Sequence, residues 1–168
     1  MSTAQVRTAP ASLDRRWIGV LLGGLVAGLI DITYACVMSW FRAGKSPLWV
    51  LQSVASGLLG MKAFDGGLPT GLLGLVCHFV IALGAATVYF LASKRLALLR
   101  DRPVVSGLIF GVCVWLFMNF VVLPLSAYPF FSLPYPPMAW VRGFLSHGIG
   151  VGLPIALLLR RYSPRGAA

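Results

Sequence analysis

Four polar side chains interrupt otherwise apolar stretches of this chain: Asp31, His78, Asn119 and His147. A carboxylate and two imidazoles are groups that exchange protons and ligate metals. An ionisable residue within a long apolar helix is costly in lipid, so it faces the bundle interior and takes a partner. Three chemistries follow. The first is structural: a buried polar layer in which Asp31 hydrogen-bonds a histidine or Asn119 and fixes helix register, at about 1–2 kcal/mol per bond. The second is a proton or solute pathway through Asp31, His78 and His147, as in a small transporter or proton-handling protein. The third is a metal or haem site. His78 and His147 would be axial ligands of a haem electron carrier, or would join Asp31 in a two-histidine, one-carboxylate set. No CxxCH or HExxH motif accompanies them, so no cofactor is expected.

Catalysis has less to build on. Ser56 lies in Ala55-Ser56-Gly57, which is not a G-x-S-x-G elbow. Ser146 and His147 are neighbours, and on a helix adjacent side chains diverge by about 100°. No catalytic site is expected, and a structural or accessory membrane role stands first.

The elements that must position these residues follow from composition. Of 168 residues, 58% are hydrophobic and only 11% charged, whereas a soluble domain is about 25% charged. Too few polar side chains exist to cover a water-facing surface, so the solvent is lipid. Apolar runs at about 17–41, 68–92, 104–127 and 138–159 each reach the roughly 20 residues that cross a bilayer. The fold expected is an all-α membrane protein, a four-transmembrane-helix bundle occupying 17–160. Short polar tails flank it at 1–16 and 161–168. The first run is too long for a signal-peptide core and contains Asp31, so it is retained. At about 1.5 Å of rise per residue, all four polar side chains fall at a similar level of the membrane.

Pro47 to Phe64 is amphipathic. Leu48, Leu51, Val54, Ala55, Leu58 and Leu59 share one helical face, and Gln52, Ser53 and Ser56 the other. It is expected to lie in the interface or to dip part way in. The uncharged loop Tyr128–Pro137, rich in aromatics and proline, is an interfacial belt or a lid over an outward-facing cavity.

The net charge is +10. The basic residues cluster between the apolar runs, as topology signals do, and form no stripe for nucleic acid. With four spans and the N-terminus inside, Arg7, Arg15, Arg16, Lys94, Arg95, Arg100, Arg102, Arg160, Arg161 and Arg165 lie inside. Only Arg42, Lys45, Lys62 and Arg142 lie outside. Both termini are therefore expected in the cytoplasm. Cys36, Cys77 and Cys113 each sit within an apolar run and are read as buried, inert thiols.

Small-x3-small pairs recur: Gly19/Gly23, Gly24/Gly28, Gly67/Gly71 and Gly107/Gly111. They let helix backbones approach closely, within the chain or in a homodimer. Asp31 follows Gly19-x3-Gly23 at the offset by which Asn119 follows Gly107-x3-Gly111, and Gly74-x3-His78 answers Gly143-x3-His147. The pattern suggests two repeated helical hairpins in the same orientation.

The stretch Gly107-Leu108-x2-Gly111-x4-Leu116-Phe117-x-Asn119-x4-Pro124-Leu125 resembles a helix of the YagU-like family of small bacterial inner-membrane proteins. His78-x10-Tyr89, and His147 followed by Arg160-Arg161, resemble its histidine helix and its last helix. The resemblance spans about 19–161 and implies a multi-pass inner-membrane location, without a biochemical activity. The family pattern has a histidine at the place of Asn119 and no aspartate at that of Asp31.

Overall fold

The computed structural model describes residues 15–133 and 135–162. Residues 1–14 and 163–168 of the two expected tails lie outside the described residues. Helix α1 runs Arg15–Ala43 and α2 Pro47–Leu59; a 3₁₀ turn, Gly60–Phe64, leads into α3, Gly67–Arg95. A short α4, Ala97–Asp101, precedes α5, Pro103–Leu125, and α6, Pro137–Tyr162. The protein is an all-α bundle in which α1, α3, α5 and α6 are each long and apolar enough to cross a membrane. It is thus a multi-pass membrane protein. Arg15 and Arg16, expected in the tail, begin α1, and Arg161 belongs to α6.

Local chemistry sets the boundaries. Gly44 at φ +62° turns the chain out of α1, a conformation that a side chain would strain. Ser46 then caps α2, its Oγ accepting from Trp49 N at 3.2 Å, with Pro47 in the first turn, where no N–H is missed. Both α5 and α6 contain a widened, π-helical turn, at Met118–Val122 and Gly148–Gly152. Each is followed two residues later by a proline, Pro124 and Pro154. A proline inside a helix removes one hydrogen bond and crowds the carbonyl four residues back, and a wider turn relieves the crowding.

α1 is central, packed against α3 on one side and α6 on the other, while α5 packs on α6. Glycines set these contacts. A Cβ at Gly19 or Gly23 would meet α6 at Leu159 or Ile155, and one at Gly24 or Gly28 would meet α3 at Leu83 or Phe79. Gly107 and Gly111 abut Gly152 and the His147 carbonyl of α6. These three glycine pairs are therefore used inside the chain, whereas Gly67, at φ +58° in the first position of α3 and with nothing within 4 Å of a Cβ, joins Gly71 in no such contact. Gly24/Gly28, not Gly19/Gly23, touch their own hairpin partner as Gly107/Gly111 do. On that contact register, Asp31 corresponds to Val114 rather than to Asn119.

The core holds Ala27, Ala86, Tyr89, Ile155, Ala156 and Leu159, toward the α4 end. There Tyr89 packs edge-on to Phe110 at 5.0 Å and donates to Leu99 O at 2.9 Å. Most large side chains of the long helices, such as Leu29, Val76, Ile109 and Leu125, face outward. That distribution suits lipid and would be unstable in water.

α2 crosses the other end of α3 and buries part of each of its two faces. Gln52 is 5% exposed and Ser56 0%, whereas Leu58 is 67% exposed. Gln52 Nε2 donates to Gly67 O at 3.0 Å and to Thr70 Oγ1 at 3.3 Å, and Ser56 Oγ donates to Ser53 O at 2.7 Å. Gln52 is thus satisfied by α3 and Ser56 within its own helix; Ala55 of the apolar face is buried as well, while Leu58 and Leu59 turn out. Where the surroundings cannot hydrogen-bond, that arrangement is the stable one.

Candidate chamber of aspartate and histidines

Asp31 from α1, His78 from α3 and His147 from α6 line one cavity of about 200 Å³. α5 adds Val114 and Met118 to its wall, and α2 adds Val54 on the side away from α4. The three polar side chains belong to three helices because the glycine contacts hold α1 against both α3 and α6 at this level. His147 lies immediately before the wide turn of α6, and Met118 opens the wide turn of α5. Such turns recur at functional sites because they re-aim side chains.

The three groups do not form a closed hydrogen-bonded knot. His147 Nε2 and Asp31 Oδ1 are 4.0 Å apart, close enough for electrostatic interaction but beyond a direct hydrogen bond. His78 Nε2 is 2.8 Å from Gly28 O. A carbonyl only accepts, so Nε2 carries a hydrogen and the neutral ring keeps Nδ1 as its lone-pair site. This bond ties α3 to α1. It also occupies the nitrogen that an axial haem contact through Nε2 would need. Among the described residues, no group of three His, Cys, Asp or Glu side chains is placed to hold a metal ion.

Asn119, expected in the same layer, lines neither this chamber nor its neighbour. Its Nδ2 donates to Trp115 O of its own helix at 2.8 Å. The contact register explains the difference, since Val114 takes the place across from Asp31.

Ser146 and His147 are closer than a regular helix implies. Ser146 Oγ lies 3.1 Å from His147 Nδ1 and 3.2 Å from Gly143 O. Ser146 is outside the chamber lining, so the hydroxyl orients the ring from behind instead of facing a substrate. Ser56 is fully buried. Cys36 and Cys77 are half-buried, but Cys113 is exposed on the outer face of α5, contrary to the expectation of a buried thiol. Gly111 and Trp115 pack inward, and position 113, two residues from each, lies on the opposite side of the helix.

A larger apolar groove of about 500 Å³ adjoins the chamber, between α2, α3 and α5. Val54, Ile81 and Met118 line both spaces. Sequence patterning does not reveal these three as a shared wall, because Val, Ile and Met are unremarkable in an apolar helix. The prolines at 124 and 154 were the available signal that the walls open here. The loop before α6 seals the α2 end: Ala127 N donates to Gly57 O at 2.9 Å. Phe130 packs at 6.1 Å from Trp49 and 5.6 Å from Phe64. Tyr128 borders the groove; burial first, and Tyr135 nearby second, push its phenol above the usual range. No protein-family model, curated protein or solved structure matches this chain.

Proposed function

We propose that the protein is a small bacterial inner-membrane protein of the YagU-like kind that binds protons, and a solute with them, in the chamber of Asp31, His78 and His147. One observation carries this reading. Three titratable side chains from three helices face a common void without hydrogen-bonding one another. A purely structural knot would close those bonds, because an unsatisfied polar group in lipid is expensive. A polar void admits water or a small solute. The structural role survives in part as the bond from His78 to Gly28 O. The ten-to-four division of basic residues supports both termini in the cytoplasm, with the α4 end inside and the α2 end outside. The chamber then lies in the outer half of the membrane.

The test is nitrogen-15 histidine spectroscopy of the full chain in lipid nanodiscs. His147, which faces the Asp31 carboxylate across 4.0 Å, should change protonation as the pH is lowered. Asp31→Asn should alter that change and leave the His78 ring bonded to Gly28 O. A His147 ring fixed as a single neutral tautomer throughout would leave only the structural reading.

A further inference from the structure

We infer that groove and chamber together form a binding site for a lipophilic cation, with an alkyl chain in the groove and an ammonium group beside Asp31. The inference rests on the chamber being a binding site and names the class of its ligand. Size is the first argument: about 500 Å³ and about 200 Å³ lie within the usual range for ligand sites, taken together or with the groove alone. Shape is the second. The groove is walled by Val76 and Val80 of α3, Val122 and Leu123 of α5, and Gly57 and Leu58 of α2. Val80 is 63% exposed, so the groove opens sideways to lipid. An alkyl chain enters it from the bilayer without leaving hydrocarbon. The shared residues Val54, Ile81 and Met118 place the end of that chain next to the polar chamber.

Charge selects the head group. Among the described residues, Asp31 supplies the one carboxylate of the two linings, and no Lys or Arg lines either space. An anionic head would meet a carboxylate with no countercharge, and an alcohol would leave that carboxylate uncompensated in a medium of low dielectric. An ammonium group compensates it, and such pairs are strong when water is scarce. The groups facing the head are Asp31 from α1, His78 from α3 and His147 from α6, while α2 and α5 present only Val54, Val114 and Met118. Protons taken up by the carboxylate or the imidazoles therefore compete with the cation, and acid should release it.

Decyltrimethylammonium, decyl sulfate and decanol would be titrated calorimetrically into the full chain in phosphatidylcholine nanodiscs, with empty nanodiscs as the baseline. Only the ammonium compound should show saturable heat above that baseline, and the excess should fall as pH is lowered. Asp31→Asn should weaken it by about tenfold or more. Val80→Trp, at an exposed position on the groove wall, should fill the groove and also abolish binding. Equal binding of decanol or decyl sulfate would overturn the charge argument, and tight binding to both variants would overturn the site. No ammonium binding while His147 still changes protonation would refute this inference alone; a silent His147 would refute the reading beneath it.

Discussion

Substituting Gly111 by Ala should move the helix that carries His147. A Cβ at this position would strike the His147 carbonyl and would lie 2.7 Å from Gly148 Cα, where ordinary contact begins near 3.4 Å. The obstructing atoms are backbone, so no side chain can swing aside. α5 and α6 must separate by about 0.7 Å at Gly148, and by more at the carbonyl. Overpacking of this kind costs about 1–3 kcal/mol, and backbone against backbone belongs at the upper end. Exchanging Gly for Ala in a helix returns about 1 kcal/mol, which leaves a net loss of about 1–2 kcal/mol. Gly84 is the internal control. It also lies in a long helix, but a Cβ there meets nothing within 4 Å. Gly84→Ala should therefore be neutral or stabilising by up to about 1 kcal/mol. Equilibrium unfolding in mixed micelles would compare the two. The histidine spectrum of Gly111→Ala should also show His147 displaced from Asp31. Equal stability of the two variants would refute the close α5–α6 contact on which the placement of His147 depends.

Other outcomes test separate parts of the account. A double-mutant cycle between Asp31→Leu and His147→Leu should depart from additivity by about 0.5–2 kcal/mol, within the ceiling of about 4 kcal/mol for unit charges 4.0 Å apart at an intermediate dielectric. The cycle of Asp31→Leu with Asn119→Leu should add within about 0.5 kcal/mol, and the reverse ranking would sink the chamber as described. His78→Phe removes the bond to Gly28 O and should cost about 0.6–1.7 kcal/mol in unfolding assays, whereas no loss would mean that the bond does not hold α3 to α1. Reporter fusions after Arg102 and Ala168 should read cytoplasmic and one after Phe131 periplasmic; a periplasmic C-terminus would invalidate the assigned orientation.

Hydropathy made the four spans legible because each of the long helices is apolar over more than a bilayer's thickness. That Asp31, His78 and His147 come to one level, as the lining of a single cavity, was likewise readable from rise per residue. Azimuth was not. The offset from Gly107/Gly111 to Asn119 matched that from Gly19/Gly23 to Asp31, but Gly19 and Gly23 face α6 while Gly24 and Gly28 face α3. A run of four glycines leaves the choice of partner to tertiary packing, and with it the direction of Asp31. The orientation of α2 is set in the same way. Its periodicity shows two faces, but the surroundings decide how they turn, and α3 offers Gln52 the partners that lipid lacks, while Ser56 bonds within its own helix. The wide turns before Pro124 and Pro154 escaped because a proline in an apolar run signals a disturbed helix without saying how the disturbance is absorbed.

The claim that Asp31 and His147 face one chamber while Asn119 faces elsewhere is open to direct chemical measurement. With Cys36, Cys77 and Cys113 replaced by Ala, the pair Asp31→Cys and His147→Cys would be treated in native membranes with a short thiol cross-linker, beside the pair Asn119→Cys and His147→Cys. The first pair should cross-link rapidly within a single chain and the second should not. Cross-linking of the Asn119 pair with none for the Asp31 pair would contradict the account.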